Sequence, residues 1–189
     1  MRLLEVAAEA GVRADVIISG HGWRLLAHET GLSDLAALRD HLGARADAFD
    51  WYGNADRGAR PASGSVPYAG MVICPCSMGT LSAVAHGSSR SLVERAADVT
   101  LKEGRRLILV PRETPLSPIH LENMLSLARI GVTVMPAAPG FYHAPKGVGD
   151  LIDFVVGRIL DHMGAAHTIS YRWTGDEESE ADRLGTAGE

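Results

Sequence analysis

Met71–Gly87 reads MVICPCSMGTLSAVAHG. Its first four residues are apolar and do not alternate with polar ones. That pattern predicts a strand covered on both faces, as in a parallel sheet. From Ser77 onward the composition changes to small and hydroxyl residues, then to a helical run. The stretch therefore predicts a strand, a tight turn and a helix whose first-turn amides are open to an anion. An ordinary Ser/Thr helix cap with no ligand is the alternative reading of the same residues. The cysteines, Cys74 and Cys76, supply only two ligands, and zinc usually needs three or four. His120 in IHLEN lacks an HExxH partner. The pair reads as small packing residues, one closing the strand and one in the turn.

Three further runs share the strand character: ADVIIS (Ala14–Ser19), RLILV (Arg106–Val110) and VTVMP (Val132–Pro136). Helical patterns lie between and around them. Ser91–Gly104 carries a stripe at Leu92, Val93, Ala96, Ala97, Val99 and Leu101. Ser117–Gly131 opens with a Ser cap and a Pro at the first helical position. Val148–Met163 repeats apolar residues at i, i+3, i+4 and i+7, with Gly164 after it. Strand alternating with helix predicts an α/β fold: a Rossmann-like open parallel sheet with helices on both faces. MRLLEVAAEAG at the start reads as a helix ending at Gly11. Gly43–Gly70, rich in Gly, Pro, Ser and Asp, reads as a long irregular connection. Residues 1–173 are expected to form a single domain, and 174–189 an acidic, disordered tail.

The 189 residues are 46% hydrophobic and 22% charged, with a formal net charge of -5. Such a chain builds one soluble core. It has no basic stripe for nucleic acid and no apolar run long enough to cross a membrane. Two cysteines do not make a disulfide scaffold, so a reduced, cytoplasmic setting is expected.

In open α/β sheets ligands bind beyond the carboxyl ends of the strands. Here those ends lead into SGHGW, PCSMGT, PRETPLSP and AAPGFYH. Arg112 and Glu113 stand at one of them, as a surface ion pair or as ligand-binding groups. Arg95 and Lys102 sit seven apart on one helix, as a solvated face or a cationic patch. Arg158 borders the last apolar stripe and can snorkel or reach a phosphate. Tyr142 is core or a phosphate donor.

Taken together, PASGS, MVICPCSMGTLSAVAHG, the near-continuous run from ERAADVTLKEG to RILD, and Arg172–Trp173 resemble the UbiX-type flavin prenyltransferases. The likeness extends from Met1 to Trp173. It implies transfer of a dimethylallyl group from dimethylallyl phosphate to reduced FMN, at N5 and C6 of the flavin, without a metal. The prenylated FMN would pass to a UbiD-type decarboxylase. The resemblance further implies that Ser19, Ser77, Met78, Gly79, Thr80 and Arg112 hold FMN. Arg95, Lys102, Tyr142, Arg158 and Trp173 would hold dimethylallyl phosphate, and Glu113, Glu29 and Lys102 would serve the chemistry. It also implies a homo-oligomer, often a dodecamer, with sites at subunit contacts.

One departure stands out. The family opens with a strand and a Gly/Ser-rich loop before a helix ending in a Val-Arg-Leu-Leu-like run, and Met1-Arg2-Leu3-Leu4 stands where that run would be. A missing first strand, central in the sheet, is therefore expected, as from a GTG valine codon read as the start. In-frame DNA upstream that encodes no strand and Gly/Ser loop would contradict this. Two other functions stay open: an FMN-binding or assembly protein without catalysis, and a related flavoprotein decarboxylase.

Overall fold

The computed structural model describes residues 1–169. In chain order the elements are α1 (Arg2–Glu9), β1 (Ala14–Ile18), α2 (Gly20–Thr30), α3 (Leu35–Leu42), β2 (Phe49–Gly53), β3 (Gly70–Cys76) and α4 (Met78–Ala85). There follow α5 (Leu92–Lys102), β4 (Arg106–Pro111), α6 (Pro118–Arg129), β5 (Thr133–Val134) and α7 (Val148–Met163). Every ladder is parallel. The Rossmann-like reading holds: strands alternate with helices and their carboxyl ends share one edge.

The ladder is divided. β1 pairs with β2, from Ala14 opposite Phe49 to Ile18 opposite Gly53. β3, β4 and β5 form a second sheet in that order. No ladder joins β1 to β3 among the described residues.

β4 shows why the helices cover both faces. Its side chains alternate. Leu107 and Leu109 join Leu81 and Val84 of α4, Ala97 of α5 and Leu127 of α6. Ile108 and Val110 face the other way and pack on Ile159 of α7. α1 lies on that second face, where Val6 and Ala7 meet Val156 and Leu160. Arg2 fixes the contact with two charged hydrogen bonds to Asp153, at 2.6 and 3.0 Å.

The stretch Gly43–Gly70 corrects the sequence reading: it contains β2 and a 3-10 turn at Gly43–Ala48. Phe49 and Trp51 point into a cluster with Leu38, Leu42 and Ala46, while Asp50 is exposed between them. That is a period-two strand signal, but only five residues long and followed by Gly- and Pro-rich chain that hides it. The expected strand at Val132–Pro136 shortens to two paired residues.

β3 begins at a glycine for a steric reason. A Cβ on Gly70 would lie 2.6 Å from the Arg106 carbonyl oxygen of β4 and 3.1 Å from Met163 Cε. The closer atom is backbone in a paired strand and cannot move aside. Gly70→Ala is expected to cost about 1–3 kcal/mol, read as a lower urea midpoint at unchanged m-value.

Candidate functional site

Three strand ends build the site. Cys76 of β3 is paired directly with Pro111 of β4. Ser77 and Arg112 are the next residues on neighbouring strands, whose spacing is about 4.8 Å. This register brings the turn into α4 and the arginine together. On the far side of β4, the Pro111 carbonyl accepts from the Ala137 amide at 2.9 Å, which draws in the loop carrying Tyr142.

Ser77 caps α4. Its Oγ accepts from the Thr80 amide at 3.2 Å and lies 3.0 Å from Thr80 Oγ1. Met78 is buried and anchors the turn from below. Gly79 faces outward: a Cβ there would meet only Ser77 Oγ, at 3.9 Å. The amides of Met78 and Gly79 precede the first intrahelical acceptor. The first turn of α4 therefore offers amides and hydroxyls at an open edge, where the helix dipole favours an anion. Ser19 repeats the device at the end of β1, capping α2 through the Gly22 amide at 3.0 Å.

Arg112 and Glu113 follow β4, both exposed. The pairing of the two that the sequence left open is not made. Glu113 accepts from the Thr114 amide at 3.2 Å, and Arg112 forms no ion pair with any described residue. A guanidinium with no ion-pair partner among the described residues, beside a helix N-terminus, is available to an anionic ligand.

Tyr142 is 63% exposed. Its ring stands edge-on to Phe154 of α7 at 5.9 Å, and His143 stacks on the same phenylalanine at 5.4 Å. Gly140 makes room, since a Cβ there would lie 2.6 Å from Tyr142 Cε1. Gly140 thus positions the tyrosine, a role the sequence reading missed. Its only signal was its place in the loop APGFYH.

The cysteines are packing residues. Cys76 is buried, and burial pushes its thiol up to about 12. Cys74 keeps solvent access, yet the protein around it also raises its thiol. Neither is poised as a thiolate nucleophile.

The remaining sequence-predicted residues lie elsewhere. α5 starts at the carboxyl edge, where Leu92 and Val93 donate to the backbone and side chain of Asn54, just after β2. It ends beside the start of β4. Lys102, its last residue, is therefore about 16 Å along the helix, at the amino edge of the sheet. There it pairs with Glu103 and stands 2.9 Å from where a Gly64 Cβ would be. PASGS thus packs under the end of α5, with Arg105 donating to the Gly64 carbonyl at 2.6 Å. Arg95, in the second turn of α5, pairs with Asp98 at 2.9 Å. Glu29 is in the last turn of α2, away from Ser19. Arg158 lies in the second half of α7, half exposed and paired with Asp161 at 3.4 Å. Trp173 lies outside the described residues. One chain thus gathers Ser19, Ser77, Met78, Gly79, Thr80, Arg112, Glu113 and Tyr142 on the carboxyl edge, and leaves Lys102, Glu29 and Arg158 toward the other.

Comparison with known proteins matches residues 1–160 to the Flavoprotein family. The flavin prenyltransferase UbiX of Halalkalibacterium halodurans is 47% identical over 97% of this chain and 90% of its own length. That of Pseudomonas aeruginosa is 48% identical over 92% and 86%. Among solved structures, AnUbiX (PadA1) in complex with FMN and dimethylallyl pyrophosphate superposes with a TM-score of 0.85. It is 38% identical and the match covers 93% of this chain and 90% of that one. A dodecameric FMN-dependent UbiX-like decarboxylase from Escherichia coli O157:H7 gives 0.83, at 43% identity over 92% and 91%. At these identities and coverages, the chain belongs to the UbiX flavin prenyltransferase family of flavoproteins.

Proposed function

We propose that this chain transfers a dimethylallyl group from dimethylallyl phosphate to reduced FMN. The observation that carries the reading is the carboxyl-edge cluster: the open first turn of α4 beside Arg112, which has no carboxylate partner among the described residues. Its donors fit an anionic cofactor, and a glycine at position 79 leaves room for it. Ser19, Ser77, Met78, Gly79, Thr80 and Arg112 would hold FMN. Reduced FMN supplies the nucleophilic ring atoms. The allylic C–O bond breaks, and its electron pair leaves with the phosphate. Arg95, Lys102, Tyr142 and Arg158 would meet that charge with fixed cations and a hydroxyl donor. An aromatic face at Trp173 would favour the allylic cation. Glu113 and Glu29 would take the protons displaced as the new bonds form. Leaving-group charge is met by side-chain cations in this assignment, so no step calls on a metal.

Lys102, Glu29 and Arg158 lie toward the opposite edge of the same chain, which supports a site shared between copies in a homo-oligomer. Arg112→Ala and Lys102→Ala should each lower transfer by about a hundredfold or more, whereas co-expressed mixed oligomers should regain part of it. No regain in mixed oligomers would place both residues in one chain's site. The product would pass to a UbiD-type decarboxylase. No described helix is long and apolar enough to cross a membrane. Two unpaired thiols and a reduced flavin substrate support a cytoplasmic setting.

A second reading, FMN binding without transfer, is favoured by the break in the sheet beside the site. Anaerobic incubation with reduced FMN separates the two. Transfer releases one inorganic phosphate from dimethylallyl phosphate, or one pyrophosphate from dimethylallyl pyrophosphate, per flavin consumed. The expected result is phosphate release that needs both protein and reduced FMN. Tight flavin binding with no release from either donor would favour the second reading.

A further inference from the structure

The end of α7 carries a cluster of charged and imidazole side chains, of which the assigned chemistry uses only Arg158. Asp161 and His162 follow Arg158 by three and four residues, so the three share one helix face. Arg158 Nη1 donates to Asp161 Oδ2 at 3.4 Å, and its Nη2 lies 3.4 Å from His162 Nε2. Gly164 then ends the helix in the left-handed conformation, and the Ala165 amide donates back to the Leu160 carbonyl at 3.0 Å. The chain turns back on the helix. Ala165 and Ile169 pack on the cluster of Val6, Ala7, Val156 and Leu160, while Ala166 and Thr168 between them are exposed. His167 takes the inward position in the middle. Its side chain is 1% exposed, and its Nε2 lies 3.1 Å from Asp161 Oδ1.

Two observations separate this arrangement from a surface ion pair, which would be worth little. The first is the ring. His167 Nδ1 is buried with no hydrogen-bond partner among the described residues. Leaving a polar atom in that state costs about 1–3 kcal/mol, and a phenylalanine would fill the same space without the cost. The ring's polar tie among the described residues is to Asp161. A carboxylate only accepts, so Nε2 carries the proton and donates. The second is the place of Asp161, in the last turn of α7, where a negative charge opposes the helix dipole. Neither residue is the choice that favours stability. Together they fix one carboxylate oxygen from inside the fold and turn the other toward the half-exposed Arg158.

We infer that Asp161, held by His167, is a positioning residue for Arg158. A long, half-exposed arginine samples many rotamers, and confining it before the ligand arrives removes that entropic cost from binding. The anchored carboxylate keeps the guanidinium over the last turn of α7, ready for the phosphate whose charge grows as the allylic C–O bond breaks. The inference rests on the assignment of Arg158 to the phosphate of dimethylallyl phosphate.

A double-mutant cycle tests it. Arg158→Ala, Asp161→Ala and the double variant are compared by kcat/KM for dimethylallyl phosphate, with KM for reduced FMN as the control on the fold. The expected result is a fall of about tenfold or more in kcat/KM for each single variant, an unchanged KM for FMN, and a double variant no worse than Arg158→Ala alone. His167→Phe, which keeps the packing without the donor, should follow Asp161→Ala, and His167→Gln, which restores a donor, should recover part of the loss. Full activity in Asp161→Ala while Arg158→Ala is impaired would overturn the proposal. So would additive losses in the double variant, or a KM for FMN that rises in step, which would mean general damage to the fold. Full activity in Arg158→Ala is a different outcome: it would remove the phosphate assignment of Arg158 and the inference with it. The same cycle read by titrating dimethylallyl phosphate into the FMN-loaded chain needs no turnover, so non-additive binding losses would support the positioning role even in a chain that does not transfer the prenyl group.

Discussion

Arg112→Ala is expected to lower kcat/KM for prenyl transfer by about a hundredfold or more, the scale on which preorganised charge-stabilising groups act. The fold should not notice. Arg112 is exposed, makes no ion pair among the described residues and sits after the last ladder position of β4. Surface changes of that kind usually stay within about 0.5 kcal/mol. Steady-state kinetics beside a thermal melt check both halves. Arg112→Lys separates charge from geometry, because lysine offers a point charge without the planar fork. A large loss in the lysine variant as well would mean that bidentate geometry carries the effect.

Gly79→Leu is expected to do the reverse of a core mutation: hold or raise stability while removing the ligand. The position is in the first turn of α4, and an added Cβ meets nothing closer than 3.9 Å. Leucine is a better helix former than glycine by up to about 1 kcal/mol. The new side chain projects over the first-turn amides that the anion would need. FMN affinity, read by quenching of flavin fluorescence, should fall by at least about tenfold, with an unchanged or higher Tm. Intact FMN binding in this variant would move the flavin site away from α4.

Much of this architecture was legible in the sequence. Apolar runs without alternation marked β1, β3 and β4, because strands covered on both faces have no polar side to show. Ser117 with Pro118 marked the start of α6, and the structure completes a capping box there through His120. The stripe in α7 was legible too, although Val148 and Ile152 on it are exposed. β2 was not read, because Phe49 and Trp51 give a two-residue inward pattern inside a Gly- and Pro-rich stretch. The break between β1 and β3 follows from which strands pair, and no local pattern records pairing.

The site divides in the same way. Residues next to strand ends, Ser19, Ser77 and Arg112, were placed on one edge by the parallel-sheet rule alone. Lys102 and Arg95 were read as sharing a helix face, which says nothing about height along the helix. Height is set by topology: α5 must end where β4 begins, so Lys102 stands at the far edge. Gly140 and Gly64 escaped notice because their importance lies in what their missing Cβ would touch. Both neighbours, Tyr142 and Lys102, were singled out.

The most direct test of the assigned function is the mass of the flavin itself. The purified chain is incubated anaerobically with reduced FMN and dimethylallyl phosphate, with the Pseudomonas aeruginosa relative in parallel, and the flavin is released and weighed by mass spectrometry. The expected result is FMN heavier by one five-carbon prenyl unit, formed only with both substrates and the protein present. Flavin of unchanged mass, while the relative converts its own, would contradict prenyl transfer by this chain.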